Sequence, residues 1–290
     1  MPTIREVARL IDPKFVIEGA GVLLRRSIAP LASNEFDPFL LFDHFAFNDP
    51  IEGPIRGFPM HPHRGIETVT YMLEGSTHHR DSLGNSGLIG PGDVQWMTSG
   101  SGILHEEMPR RGPSGNIYGF QLWVNLPSAL KMTTPRYQEV SSGRIPTHER
   151  DGARLRVVAG SADGIDGPVK EIAAAPLYLD AELAPGTTFE QSVDADHTVL
   201  AYVFTGEARF GDREVAAVRM VQFGPGDLIH VQTEELGIRF MLIAGRPFRE
   251  PIAPYGPFVM NTREEIMQAL SDLKQGTFIR SQPATAPVDA

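Results

Sequence analysis

The chain has 290 residues, 41% of them hydrophobic and 21% charged, a balance suited to a soluble globular protein with room for one large domain or two of average size. Its formal charge of −10 and the lack of a basic patch argue against direct binding of nucleic-acid phosphates, since the Arg25-Arg26 and Arg110-Arg111 pairs are too short to reverse that balance. The absence of cysteine excludes disulfides, thiolate metal sites and cysteine nucleophiles, and leaves the compartment open.

The N-terminal stretch has no long apolar run and no small-residue cleavage site, so it does not read as a signal peptide. No later window has the apolar length of a membrane span, and the cytosol is the expected location. Gly19-Ala20-Gly21 begins like a dinucleotide fingerprint, but Leu24 stands at the third glycine position and no alternating strand–helix pattern follows. The 29 glycines and 24 prolines are scattered between short apolar runs, which predicts many turns and many strands.

His61-Pro62-His63 comes next. On a strand, residues two apart share a face, so both imidazoles can point into a barrel. Pro62 cannot donate to a ladder, which places this stretch at a sheet edge or strand start. The run from Glu67 to Leu73 is β-branched and aromatic and ends near Gly75, so it reads as a strand. His78-His79 reads as an exposed turn. Trp96 and Trp123 read as barrel packing, with either able to edge a pocket. His105-Glu106-Glu107 follows the same period of two, with His105 and Glu107 on one face.

Two such pairs on adjacent strands would offer three nitrogens and one carboxylate to a transition metal, with positions left for water or substrate. The bland alternative is strong for any isolated H-x-H, which is commonly a pair of surface histidines. The added H-x-E and an internal repeat tilt the balance towards metal. Thr68-Val69, Tyr71 and Gly75 recur as Thr198-Val199, Tyr202 and Gly206, and Gly90-Pro91-Gly92-Asp93 recurs as Gly224-Pro225-Gly226-Asp227. Landmarks repeated in order predict a duplicated β-domain, with its seam in the polar stretch 141–152.

The remaining histidines, His44, His148, His197 and His230, are isolated and read as surface or satisfied polar groups, although His230 could line a remnant cavity of the second barrel. Near the end of the chain Thr262 and Glu265 form a capping box, and Ile266, Leu270 and Leu273 fall on one helix face. The stretch 281–290 is rich in Pro and Ala and is expected to be disordered.

The run His61-Pro-His-Arg-Gly-Ile-Glu-Thr-Val69 resembles the pirin family, as do Pro91-Gly-Asp-Val-Gln-Trp-Met97 and Gly102-Ile-Leu-His-Glu-Glu-Met108. The likeness extends to Asp37-Pro-Phe-Leu-Leu-Phe-Asp43 before the first barrel and to Gly256-Pro-Phe-Val-Met-Asn261 with its following helix, and so covers nearly the whole chain. Pirins are bicupins. The resemblance implies an all-β fold of two tandem cupin barrels (double-stranded β-helix, or jelly-roll) with a short C-terminal helix. The division it suggests is 1–143 for a metal-binding barrel, 152–260 for a metal-free one, 261–280 for the helix and 281–290 for the tail.

The resemblance also implies one divalent transition metal, iron first and Mn, Ni, Cu, Zn or Co as alternatives, on His61, His63, His105 and Glu107. The general cupin pattern takes its carboxylate from the position of Glu67 instead. Glu67 shares parity with His61 and His63, and Glu107 is preferred for its pairing with His105. The proline usual before the last histidine is replaced by Gly100-Ser101-Gly102.

In function, the resemblance implies a quercetin 2,3-dioxygenase-like oxidoreductase that uses a flavonol and dioxygen, with Glu107 as the catalytic base. The alternative is a redox-sensitive module that binds a protein partner, of transcriptional co-regulator type. A purely structural or metal-storing barrel ranks last. No nucleic acid or membrane is expected as a partner, and a monomer is expected.

Overall fold

The structure, a computed structural model, describes residues 2–45 and 57–280; the expected tail lies outside the described residues. Within them the chain is built of β-strands with one α-helix, Arg263–Gln275, near the C-terminus. No helix among the described residues is long and apolar enough to cross a membrane.

The chain divides into two compact units, and the division is not linear. One unit takes residues up to Lys14, then Phe36–Pro38, then Ser142–Phe248. The other takes Phe15–Glu35, Phe39–Ser141 and everything from Arg249 onward. In the middle of the chain the division falls between Ser141 and Ser142. The outer boundaries differ from the expected 1–143 and 152–260, because strand pairing overrides chain order. Val7–Ile11 pairs antiparallel with Arg219–Phe223 and so belongs to the second barrel. Val259 donates its backbone N–H to Arg64 O at 3.2 Å, inside the first barrel's unit.

The second barrel is closed by an apolar interior that includes Leu155, Val157, Phe189, Phe210, Ile229 and Phe240, all fully buried. Phe189 alternates with the exposed Thr188 and Glu190, whereas Val157 and Phe240 are followed by the buried Val158 and Met241.

The first barrel is made of two sheets. The larger runs in the order Arg136–Val140, Val94–Thr98, Ile66–Glu74, Tyr118–Asn125, Phe39–Phe45, Val22–Ile28, Lys14–Glu18. The smaller runs Phe58–His63, Ile103–Arg110, Ser76–Asp81, Ser86–Ile89. Phe58–His63 is therefore an edge strand, which accommodates Pro62.

A latch from the C-terminal segment closes over this edge. Arg64, directly after His63, is buried. It donates to Ser101 O at 2.7 Å, Asp272 Oδ2 at 2.7 Å and Phe278 O at 3.1 Å, with the Phe278 ring 4.3 Å from its guanidinium carbon. Next to it, Gly65 has φ +80, and a Cβ there would lie 2.3 Å from Val259 O, so this close approach of backbones requires glycine. Lys131 is also buried, and its ammonium donates to Gly65 O, Asn125 Oδ1 and Val259 O.

The helix carries the expected capping box, Glu265 N–H donating to Thr262 Oγ1 at 3.2 Å and Thr262 N–H to Glu265 Oε2 at 2.9 Å. It ends at Gln275, short of the expected 280, where Gly276 turns into the left-handed region at φ 73. Its inward face holds Ile266, Ala269 and Asp272, while Leu273 is exposed. The ion pair with Arg64 claims the inward position that hydrophobic pattern alone assigns to Leu273.

Burial alone would raise the Asp272 carboxyl, but hydrogen bonds from Arg64, Gln268 and Arg280 outweigh it and hold the group at about 2. A carboxyl lowered in this way stabilises the fold above its unfolded value of roughly 3.9, and that contribution is lost as pH falls through about 2. Asp272→Asn leaves Arg64 buried without its counter-charge and is expected to destabilise the protein by about 3 kcal/mol at pH 7. The deficit should shrink as pH falls from 4 towards 2. Melting temperatures of wild type and variant across this range measure it, and a deficit independent of pH would remove the ion pair as its cause.

Candidate metal centre

The three histidines expected to act together do meet. His105 pairs directly with His61 across the Ile103–Arg110 and Phe58–His63 strands, and Ile103 pairs with His63. A direct pair and its neighbour two residues on share a face, so all three rings point to one side. Ring centroids lie 4.4 Å apart for His61 and His105, 4.8 Å for His61 and His63, and 5.0 Å for His63 and His105. One ligand nitrogen from each falls within 4.8 Å of the other two.

Hydrogen bonds set the ring tautomers of two of them. His61 Nδ1 lies 2.9 Å from Pro59 O, and His63 Nδ1 lies 3.2 Å from Pro257 O. A carbonyl oxygen only accepts, so each Nδ1 carries its proton and each Nε2 presents a lone pair. Those two Nε2 atoms face each other at 3.1 Å. Two bare lone pairs repel at this distance, and a shared cation removes the conflict. Two nitrogens each about 2.1 Å from one ion and at a right angle would lie roughly 3.0 Å apart. His105 is buried, and among the described residues neither of its ring nitrogens has a hydrogen-bond partner, a state that is costly unless one of them has a ligand. Burial first, and neighbouring imidazoles second, push His63 and His105 well below the ordinary histidine range. Both are neutral at pH 7, the form that binds metal. The donor set fits a divalent transition ion.

Glu107 stands apart from the three. A β-bulge between His105 and Glu107 sets Phe58, rather than Pro59, opposite the acid. Its buried carboxylate accepts from Thr70 Oγ1 at 3.2 Å and from Gln121 Nε2 at 3.3 and 3.2 Å. It is not a member of the 4.8 Å group among the described residues, yet it lines the same cleft of about 520 Å³ as His61 and His63. Phe58, Leu41, Trp123 and Pro257 supply apolar wall to that cleft, and Trp123 meets His63 edge to face at 5.2 Å.

Glu67, the competing carboxylate, is engaged elsewhere. It accepts from Thr98 Oγ1 at 2.8 Å and Trp96 Nε1 at 3.1 Å. Trp96 is thus barrel packing with a polar tether. Trp123 edges the cleft.

His79 departs from the expected exposed turn. Ser76–Asp81 is a strand with His79 opposite Glu107 and His78 opposite Met108. Alternation turns His78 outward and buries His79, whose Nε2 lies 2.8 Å from Glu139 Oε1. Period two, applied to 76–81 as it was to 61–63, would have found this inward histidine. His44 is buried against Tyr118, with ring centroids 4.9 Å apart. In the other unit, His230 Nδ1 lies 3.2 Å from Glu190 Oε1 on the neighbouring strand. The Pro257 carbonyl carries no sequence signal of its own, since its contact with His63 spans 194 residues.

Burial, opposed by hydrogen bonds from Thr98 and Trp96, raises the Glu67 carboxyl to about 7. A raised acid holds its proton in the folded state after the unfolded chain has released it near roughly 4.3. Stability is therefore lost as pH rises from that value through about 7. Glu67→Gln removes this titration, so its stability should gain on wild type between pH 5 and pH 8. It should also retain metal. Glu67→Ala leaves the Trp96 N–H unpaired and should cost about 1–3 kcal/mol. Loss of metal in the Gln variant would make Glu67 a ligand.

Residues 22–124 match the family model described as Pirin, and residues 178–279 match the Pirin C-terminal cupin domain. A pirin-like protein of Caulobacter vibrioides is 44% identical over 277 residues, covering 95% of this chain and 99% of that protein. Pirin of Homo sapiens is 43% identical over 263 residues, covering 89% of this chain and 88% of the human protein. The crystal structure of quercetin 2,3-dioxygenase from Acinetobacter baumannii superposes with a TM-score of 0.84 at 33% identity, covering 95% of this chain and 99% of that one. With both cupin domains matched and relatives this similar over nearly the full length, the chain belongs to the pirin family.

Proposed function

We propose that this protein is a metal-dependent oxidoreductase of the quercetin 2,3-dioxygenase type, with iron as its metal and a flavonol such as quercetin as its substrate. The observation that carries the reading is the convergence of the His61, His63 and His105 imidazoles, two of which, His61 and His63, open onto the cleft. The likeness to the Acinetobacter baumannii enzyme supports the substrate class. In this reading His61, His63 and His105 hold the ion, and Glu107 is the fourth ligand. When bound, the metal supplies a Lewis acid for an enolate oxygen and a redox-active centre for dioxygen chemistry.

The chain's own groups do the rest. Phe58, Leu41, Trp123 and Pro257 offer walls to a planar aromatic molecule. Glu107 would take the proton of the flavonol 3-hydroxyl. Thr70 and Gln121 donate to its carboxylate and would hold it in place as it accepts that proton. Pro59 O and Pro257 O fix the rings that must stay.

Aerobic turnover of quercetin by metal-loaded protein, read as carbon monoxide release and loss of the flavonol, tests the proposal. His61→Ala and His105→Ala should each lose metal by elemental analysis and lose turnover with it. Glu107→Gln should keep metal on its three imidazoles and lower kcat by about 10²–10⁴-fold. No carbon monoxide from wild type, together with retention of a protein partner that depends on the oxidation state of the metal, would exclude the enzyme in favour of the regulatory module.

A further inference from the structure

Behind Glu107 the first barrel holds a second, smaller space of about 40 Å³. Asp43, Phe58, Glu107 and Gln121 line both this chamber and the cleft. The Glu107 carboxylate and its amide partner are therefore part of a shared wall. Leu24, Phe45 and Ile117 line the chamber and not the cleft, with Leu24 and Ile117 buried.

The polar groups on the chamber wall already have protein partners. Asp43 accepts from Arg26 at 2.8 and 2.7 Å, one bond to each carboxylate oxygen. Thr70 and Gln121 donate to Glu107. The Thr77 hydroxyl donates to Met72 Sδ at 3.6 Å. A water molecule needs only roughly 10–15 Å³, but it also needs two to four polar partners. The chamber has the room and offers few of the partners. Cavities that lack such partners stay dry and take up xenon.

We propose that this chamber binds a small apolar diatomic gas, dioxygen in the working protein, and holds it one side chain away from the metal-facing cleft. The identity of the gas rests on the dioxygenase reading; the existence of the site does not. A non-polar diatomic loses no hydrogen bonds on entering an apolar space, and it gains contacts there that a void forgoes.

Crystals of the protein under xenon pressure test the site without any need for activity. Wild type should show a xenon peak bounded by Leu24, Phe45 and Ile117. Ile117→Phe should fill the space and abolish the peak. Ile117→Ala should enlarge the space and raise the occupancy, which keeps the test decisive if the larger side chain is not tolerated. Where flavonol turnover is present, Ile117→Phe should raise the KM for dioxygen several-fold and leave the KM for flavonol unchanged. A wild-type chamber without xenon, or a peak of equal height in Ile117→Phe, overturns the site. A xenon peak that follows these variants in a protein without flavonol turnover upholds the site and removes only the dioxygenase reading.

Discussion

Two imidazole nitrogens confronting each other at 3.1 Å are the constraint on which the rest of the first barrel depends. The confrontation exists because two backbone carbonyls hold the opposite ring nitrogens in their protonated form. Were either ring free to flip, the pair could relax into an ordinary N–H to N hydrogen bond and the cation site would dissolve. Pro59 fixes its ring from within the same strand. Pro257 reaches from the far end of the chain. The Arg64–Asp272 ion pair and the Lys131 ammonium tie that distant segment down. The latch and the metal centre form one device, since the first keeps the second's acceptor in place.

The strand-borne part of this arrangement was legible in the sequence. A period of two paired His61 with His63 and His105 with Glu107, and Pro62 marked the edge strand. The repeat of Thr68 to Asp93 in Thr198 to Asp227 announced the duplication, and Thr262 with Glu265 announced the helix. What escaped was decided by partners far away in the chain. Asp272 occupies an inward helix position because a buried arginine meets it there. His79 looked like part of a turn because its polar neighbours, His78 and Arg80, face outward. The two units exchange their outer segments because Val7–Ile11 found a place beside Arg219–Phe223, and no local pattern encodes that choice.

The two carboxylates divide along the same line. Parity made both Glu67 and Glu107 candidates, with Glu107 preferred for its pairing with His105. Their surroundings separate them: Glu67 answers the indole of Trp96 and the hydroxyl of Thr98, while Glu107 faces the cleft. A sheet buried on both faces gives every inward acid a neighbour, so parity alone does not sort a ligand from a packing group.

The interleaved division of the chain bears on the order of events at the ribosome. Domains generally fold in the sequence in which they emerge. Here all three imidazoles are made before residue 106, yet the carbonyl that orients His63 and the carboxylate that neutralises Arg64 belong to residues 257 and 272. The metal half of the molecule must wait, incomplete, while the other half is synthesised. The candidate metal site thus reaches its final geometry among the last steps of folding, although its three histidines are made in the first half of the chain.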